Sequence, residues 1–452
     1  MNEDKNIVII GCGAGGGTAA QFARKTNRKA KITIFEKGKY PQYSKCGLPY
    51  AISGKIPKIE NLIEFDKDWF AKSKIDLFLE TTVEKIDTKK KKIYAKKVNK
   101  TIEKTYDSLI IATGAKPFKP KIENNDLDGV FTLRTIEDAK KIKTYIKSCK
   151  YATILGAGLI GLEMAENLYK LGLNITIVEA LPGILSNNLD GDMAKIVAEK
   201  IPDKIKIFTN SQTTKVIGNN KISEVIIKNK ETNSENKIPT NILIIATGNK
   251  PEVSLAKSIG CKIGNSGGVL VNSKSETNIK NVYAIGDCTE FLDFITAKYI
   301  LVGLGSIAVR QAIAAGTNAA GGLYELPKGI LNTSTSKFFD LEVASVGPTT
   351  ARLNDYTVVS AHFNGSSLPD YFPGGRPVSV KVIVDKYTGM IISAQILGEN
   401  AAQRVNTISA AILGELDVET FRKLETAYAP PIAPTLDAIT LVCDIISKKL
   451  KR

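Results

Sequence analysis

An octapeptide that occurs twice is the feature that most restricts what this 452-residue chain can form. Residues 110–117 read IIATGAKP and residues 244–251 read IIATGNKP, so the two copies differ at a single position. Upstream of each copy, three glycines with the spacing G-x-G-x-x-G follow an apolar run: Gly11, Gly13 and Gly16, then Gly156, Gly158 and Gly161. A glycine turn between a buried strand and a helix is typical of dinucleotide-binding units. The sequence therefore predicts two such units.

The first glycine turn (residues 11–16) lies in a complete strand–turn–helix context. Residues 6–10 indicate a buried strand, residues 18–26 an alanine-rich helix, and residues 31–35 a second strand that ends at Glu36. The glycines let a pyrophosphate approach the helix N-terminus, and an acid at this spacing accepts hydrogen bonds from a ribose.

The second glycine turn (residues 156–161) repeats this arrangement and ends its second strand at Glu179. No arginine or lysine occurs in the next five residues. A carboxylate at this position would repel a 2′-phosphate, so the sequence favours NADH over NADPH.

Composition excludes several other classes of protein. The net charge is +16, but the lysines are spread along the whole chain, which favours a compositional bias over a nucleic-acid site. No apolar run approaches the ~20 residues of a membrane helix, and no signal peptide is visible. The six cysteines form no Cys-x-x-Cys pair and are too sparse for a secreted scaffold. We therefore expect a cytoplasmic protein without a metal site, a nucleic-acid partner or a membrane partner.

The last third of the chain has a different pattern. A strand ends at Gly286-Asp287, and a glycine-started helix after residue 303 carries Arg310. Beyond a boundary near Pro327, antiparallel strands are predicted with turns at Asn364-Gly365 and Thr388-Gly389, followed by helices at about 401–414 and 417–424.

These features together resemble the pyridine nucleotide–disulfide oxidoreductases, flavoproteins with two dinucleotide-binding domains. The resemblance covers nearly the whole chain. It implies an α/β fold with two Rossmann-like domains, for FAD and NADH, and an α+β C-terminal domain that forms a homodimer. The implied boundaries are residues 1–115 and 249–326 for FAD, 116–248 for NADH and 327–452 for dimerisation.

Within that family, Cys46-Gly-Leu-Pro-Tyr50 resembles the branch with a single redox-active cysteine. That branch contains coenzyme A-disulfide reductases, NADH oxidases, NADH peroxidases and persulfide or polysulfide reductases. Residues 427–434 resemble its C-terminal signature, and residues 370–375 resemble the tyrosine-bearing loop of its coenzyme A-disulfide reductases. The resemblance implies that Tyr371 and Tyr428 reach the site across the dimer, where either could donate a proton.

Departures from the family pattern reduce the number of family reactions that are expected for this chain. The chain lacks Cys-x4-Cys, and its single histidine, His362, is predicted to be structural, so the dithiol and the His–Glu pair of other branches are missing. Ala14 stands where the peroxidases carry a histidine, which predicts poor peroxide reduction. Lys45 stands where relatives often have asparagine.

Cys46 is the predicted nucleophile. Gly-Leu-Pro after it opens a helix and Lys45 adds positive charge, and both favour a thiolate. Cys12, inside the first glycine turn, is either a small filler or a thiol near Cys46, and the other four cysteines are predicted to be buried or incidental.

The leading hypothesis passes electrons from NADH through FAD to Cys46 and on to a coenzyme A disulfide, persulfide or polysulfide. The alternative is an NADH oxidase that reduces O2 with Cys46 as a redox centre. Cations around the channel would bind the phosphates of coenzyme A: Arg24, Lys25, Lys45 and Arg310. Besides the glycines and acids above, the predicted cofactor contacts are Thr113, Gly114, Glu163, Gly248, Gly286 and Asp287.

Overall fold

The computed structural model describes residues 4–452, which group into two compact units. The first unit contains the chain up to Phe118, then Arg134–Lys140 and Gly248–Ile330. The second unit contains Lys119–Leu133, Lys141–Thr247 and Leu331–Arg452. The predicted division into three domains stays a prediction beside this grouping.

The first unit is built on a five-stranded parallel sheet. Two alanine-rich helices, Ala14–Thr26 and Gly305–Ala319, pack together over its core. A Cβ at Gly316 would clash with the carbonyl oxygen of Ala19, so only glycine permits this close packing. In spatial order the strands are Val282–Ala284, Ser108–Ile111, Asn6–Ile10, Lys31–Phe35 and Ile75–Phe78.

Smaller elements complete the first unit. The ends of the two octapeptides pair with each other as an antiparallel ribbon, Ala115–Pro117 with Asn249–Pro251. The other strands are Thr82–Asp87, Lys92–Lys97, Lys100–Thr105, Val269–Leu270, Thr289–Leu292 and Tyr299–Ile300. The short helices are Leu48–Ile52, Ile59–Leu62, Lys67–Lys72, Ser254–Ser258 and Gly286–Cys288.

The second unit contains another parallel sheet, with the helix Leu159–Lys170 after its central strand. In order its strands are Lys206–Phe208, Asn174–Val178, Tyr151–Leu155, Ile242–Ile245 and Val130–Thr132. The remaining elements of this part are the strands Ser211–Gly218, Ile222–Asn229 and Glu235–Pro239, and the helices Ile136–Tyr145, Ile146–Ser148 and Gly191–Ala198. Residues of Ile136–Tyr145 belong to both units. Two Rossmann-like sheets are thus confirmed.

The C-terminal part is a five-stranded antiparallel sheet followed by three helices. In order its strands are Ser334–Phe338, Leu341–Val346, Ile391–Gly398, Pro377–Asp385 and Val358–Ser366. A short helix, Thr350–Arg352, precedes the last-named strand, and the helices after the sheet are Ala401–Leu413, Val418–Phe421 and Ala438–Leu450. No helix in residues 4–452 is long and apolar enough to cross a membrane.

One predicted turn in this sheet is wrong, and one helix was not predicted. Asn364 and Gly365 lie within a strand, where they pair with Ser379 and Val378. The connection is instead the long loop 367–376, which carries Tyr371. The final helix, Ala438–Leu450, begins at the N-cap Asp437.

Candidate active site

The three glycines of the first turn have three different roles. Gly11 has φ +101°, and a Cβ there would clash with the carbonyl oxygen of Ala112. A Cβ at Gly16 would clash with the carbonyl oxygen of Gly11. At Gly13 a Cβ would meet no described atom within 4 Å, so this side of the turn is open. The first and third glycines hold the turn, and the second leaves room for a ligand.

The second glycine turn has the same geometry. Gly156 has φ +101° and lies against Ala246, Gly161 lies against Gly156, and Gly158 faces open space. The helices that follow begin at the N-caps Gly13 and Gly158, and neither has a side-chain cap among the described residues. Their first amide groups therefore point to the open side of each turn, where a pyrophosphate fits.

Each strand-terminal acid is hydrogen-bonded to its own glycine turn. Glu36 accepts from the amides of Cys12 and Gly38, both at 2.7 Å. Glu179 accepts from the amides of Ala157 at 2.6 Å and Leu181 at 2.8 Å. Each carboxylate has about four lone-pair sites and uses two here, so each keeps acceptors for a ribose. Both turns thus fit a dinucleotide.

Asp287 forms an ion pair that sequence reasoning missed. Arg134 Nη2 lies 2.5 Å from Asp287 Oδ2, and both side chains are mostly buried. A Cβ at Gly114 would lie 3.8 Å from the same guanidinium. Gln311 fixes the backbone beside this pair, since its Oε1 accepts from Gly286 N at 2.6 Å. Gly114, Gly286 and Asp287, predicted as cofactor residues, are therefore close together around Arg134.

Each octapeptide contains a threonine followed by a glycine, and these residues shape the local backbone. Thr113 Oγ1 donates to the carbonyl oxygen of Glu252 at 2.6 Å. Gly248 has φ +99° and borders open space. Threonine followed by a glycine with positive φ therefore ends each octapeptide strand in the same way.

Lys45 belongs to the same neighbourhood. Its side chain is accessible to solvent, yet the protein around it removes enough water to lower the pKa of Lys45 to about 8. The Arg134 guanidinium lowers this pKa further, while Asp287 and Glu36 oppose it. Lys45 thus lies within electrostatic reach of Glu36, the acid of the first glycine turn, and of Asp287.

Cys46, next to Lys45, is the exposed thiol of the six. Gly47 and Pro49 do open a helix, but it is only the five residues Leu48–Ile52, so its dipole adds less than the sequence suggested. In the other five cysteines burial raises the thiol pKa, and in Cys12 the Glu36 carboxylate adds to the effect. Cys46 is therefore the best placed of the six to react as a thiolate.

Tyr371 and Tyr428 form a hydrogen-bonded pair. Their hydroxyl oxygens are 2.6 Å apart, and both side chains are exposed. Tyr371 lies in the loop 367–376, and Tyr428 lies between the helices Val418–Phe421 and Ala438–Leu450. The hydrogen bond between the two hydroxyl groups raises the pKa of Tyr371. The tyrosines named from two separate motifs are thus adjacent.

Among the predicted phosphate ligands, Arg24 already bonds to backbone carbonyl groups, and its role stays a prediction. Its guanidinium donates to the carbonyl oxygens of Ser73 at 3.0 Å, Arg28 at 2.8 Å and Lys74 at 2.6 Å. It lies in the last turn of its helix, roughly 15 Å from the glycine turn at 1.5 Å per residue. Lys25 Nζ lies 4.6 Å from the Phe22 ring centroid, and both Lys25 and Arg310 are exposed.

Glu163 is bonded within the second unit. Ser336 Oγ donates to Glu163 Oε1 at 2.7 Å. Burial raises the pKa of Glu163, and the Ser336 bond opposes this effect. The carboxyl therefore already has one partner from the C-terminal sheet.

Sequence comparison identifies the family. Residues 5–319 match the model of the pyridine nucleotide-disulphide oxidoreductases, and residues 333–438 match the dimerisation domain of the same family. The chain belongs to this family. Its members bind FAD and NAD(P)H, which agrees with the two glycine turns.

Similar proteins in this family include sulfur reductases and an oxidase. A protein named NADH oxidase from Methanocaldococcus jannaschii is 38% identical over 98% of this chain and 99% of its own. A protein named NAD(P)H sulfur oxidoreductase (CoA-dependent) from Pyrococcus furiosus is 33% identical, with the same coverage. The structure of an NAD-dependent persulfide reductase from A. fulgidus is 32% identical, covers 99% of this chain and 84% of that one, and superposes with a TM-score of 0.94.

Proposed function

We propose that this oxidoreductase uses NADH, through FAD, to reduce a coenzyme A disulfide, persulfide or polysulfide at Cys46. The observation that carries the proposal is the exposed Cys46 thiol, adjacent in sequence to Lys45, which lies within electrostatic reach of Arg134, Asp287 and Glu36. The sulfur chemistry named for the relatives from P. furiosus and A. fulgidus supports the same substrate class.

The cofactor roles follow from the two glycine turns. We assign FAD to the first, with Gly11, Gly13, Gly16, Glu36, Thr113, Gly114, Arg134, Gly248, Gly286 and Asp287 around it. We assign NADH to the second, with Gly156, Gly158, Gly161, Glu163 and Glu179. FAD, when bound, takes up a hydride from NADH and supplies two electrons for the sulfur.

The Cys46 thiolate attacks one sulfur of the substrate disulfide, forms a mixed disulfide and releases the first half as a thiolate. Two electrons delivered from the cofactors then break the mixed disulfide, which returns the Cys46 thiolate and releases the second half. The sum is one disulfide, NADH and a proton converted to two thiols and NAD⁺.

The Tyr371–Tyr428 pair is the proposed proton donor for the departing sulfur. A tyrosine keeps its proton at neutral pH, and the hydrogen bond with Tyr428 raises the pKa of Tyr371 further. We propose that the pair serves Cys46 of the partner in a homodimer. The match to the family's dimerisation domain at residues 333–438 supports this arrangement.

NADH should be a better donor than NADPH because Glu179, at its strand end, would face the 2′-phosphate. We expect kcat/KM for NADPH to be lower by roughly 10-fold or more, since one repulsive charge costs over 1.4 kcal/mol when partly shielded. Glu179→Gln should raise kcat/KM for NADPH and so reduce the difference between the two donors. Equal kcat/KM for both donors in the parent enzyme would show that Glu179 points away from the 2′ position.

The acceptor is tested by anaerobic turnover with NADH and one acceptor at a time. We expect turnover with coenzyme A disulfide or polysulfide to be faster than turnover with glutathione disulfide, and turnover with H2O2 to be slow. Arg24, Lys25, Lys45 and Arg310 are the candidate phosphate ligands, so KM for coenzyme A disulfide should rise with salt. KM for an uncharged disulfide should not.

An oxidase remains the second candidate, because the M. jannaschii relative at 38% identity carries that name. Fast O2 consumption with negligible sulfur reduction would replace the proposed reductase with this oxidase. Rates with O2 far below those with sulfur acceptors would exclude it.

A further inference from the structure

A row of polar side chains crosses the C-terminal sheet from one edge to the other. In the strand register, Ser334 is opposite Ser345, Ser345 is opposite Gln395, Gln395 is opposite Lys381, and Lys381 is opposite His362. Opposite residues in adjacent strands share a face, so the five side chains form one line, called here the polar row. Apart from half-buried His362, all of them are buried.

The polar row holds the segment that follows the second unit's ribose acid, residues 181–192, called here the docked segment. Asn188 Nδ2 donates to Ser334 Oγ at 3.0 Å, and the Asp190 amide donates to Gln395 Oε1 at 2.8 Å. Lys381 Nζ lies 2.9 Å from Asp190 Oδ2 and 2.8 Å from Asp192 Oδ1. Three members of the row thus bind three residues of one segment.

Lys381 is the central contact. Burial alone would lower the pKa of Lys381, but hydrogen bonds to Asp192 and Asp190 raise it, so it stays charged. Thr350 adds two bonds to the Asp190 carboxylate, at 2.9 Å from its amide and 2.6 Å from its hydroxyl. A buried ion pair contributes little net stability over an apolar contact, and its best supported role is to select one arrangement.

The other end of the docked segment contacts the second glycine turn. The Leu185 amide donates to the carbonyl oxygen of Ala157 at 2.9 Å, and the Leu181 amide donates to Glu179 at 2.8 Å. Leu185 is buried with φ +52°, a conformation that costs a leucine energy and needs support from its surroundings. Hydrogen bonds and short stretches of backbone therefore connect Lys381 to the turn.

We propose that Lys381 is a positioning residue for the pyridine nucleotide. It fixes the docked segment through Asp190, and the docked segment supports Ala157 and Glu179, which shape the turn. This inference rests on the proposed assignment of NADH to the second glycine turn. Lys381 touches neither nucleotide nor sulfur in this scheme, so its loss should weaken nucleotide binding and spare the sulfur step.

The test is Lys381→Met, measured by the Kd of a non-reducible NADH analogue and by steady-state kinetics. We expect Kd for the analogue and KM for NADH to rise by about tenfold, because the docked segment loses one of its contacts. The value of kcat at saturation should change less than about twofold. Amide exchange at Leu185 and Asp190 should accelerate because their hydrogen bonds open more often. Lys381→Arg should recover most of the affinity.

Two further variants keep the test decisive. Lys386→Met changes an exposed lysine just after the same strand and should leave Kd unchanged. Asn188→Ala removes one amide contact without leaving a buried charge, so it tests the docked segment even if Lys381→Met fails to fold. It should raise Kd by about threefold.

Each negative result of these experiments contradicts a different part of the proposal. A parent enzyme that does not bind the analogue would overturn the NADH assignment itself. A parent that binds it, with Asn188→Ala and any folded Lys381→Met binding equally well, would overturn the positioning role. A fall in kcat that matches the loss of affinity would also overturn it, because the effect would then not be confined to the nucleotide.

Discussion

Cys46→Ser should lower turnover with a disulfide or polysulfide by at least about 10³-fold, the scale of loss seen when a nucleophile is removed. Serine has nearly the same size, so both glycine turns and the Arg134–Asp287 pair should persist, and NADH should still reduce bound flavin. Oxygen at this position cannot form the mixed disulfide. Stopped-flow loss of flavin absorbance and steady-state sulfur reduction measure the two steps separately.

Cys149→Ser is the matched control for Cys46→Ser. Cys149 is half-buried, and its Sγ donates to the carbonyl oxygen of Tyr145 at 3.4 Å. Its loss should leave both steps intact. Parent-like sulfur reduction by Cys46→Ser would make Cys46 structural and remove the proposed catalytic cycle. Loss of sulfur reduction with unchanged O2 consumption would show that oxygen reacts without the thiol.

The cofactor turns were predictable because their signals are local. Gly11 and Gly156 need positive φ, Gly13 and Gly158 must stay open, and each acid ends the strand that follows the helix. Every one of these requirements is a property of a short stretch, and residue type reports it directly. Cys46 was named from a short motif in the same way, and the structure shows its thiol exposed, while its catalytic role stays a prediction.

Contacts between distant stretches were not predictable. Arg134 meets Asp287 across 153 positions of sequence and belongs to no motif that sequence reasoning used. The backbone contacts of Arg24 were equally hidden, because its guanidinium donates to the carbonyl oxygens of Ser73 and Lys74, 49 and 50 positions away. Asn364-Gly365 suggested a hairpin turn, but the partner strand continues alongside it to Pro377.

Both tyrosines of the pair were predicted from the sequence, but the hydrogen bond between them was not. Tyr371 and Tyr428 come from separate motifs, 57 positions apart. The 2.6 Å bond between their hydroxyl groups makes them one functional group in chemical terms. Two phenols that share a hydrogen bond should therefore respond to mutation non-additively.

Replacing both tyrosines by phenylalanine should lower kcat for disulfide reduction by ~10²–10⁴-fold, the usual contribution of a general acid. Each single replacement should lower log kcat by less than half as much as the double replacement, because the remaining hydroxyl still donates a proton. Flavin reduction by NADH should be unaffected in all three variants. Sedimentation should give twice the 48.9 kDa chain mass for parent and variants, which checks that the proposed homodimer is intact.

The pH profile distinguishes proton donation from packing. Tyr428 raises the pKa of Tyr371, so in the parent the donor keeps its proton above the ordinary tyrosine value of about 10. Tyr428→Phe removes that hydrogen bond and lets the pKa of Tyr371 fall. The alkaline limb of the kcat profile should therefore move to lower pH in this variant. A parent-like kcat in the double variant, or an alkaline limb that stays in place in Tyr428→Phe, would show that the pair has no role in proton transfer. The next candidate acid would then be Lys45, which has a pKa of about 8.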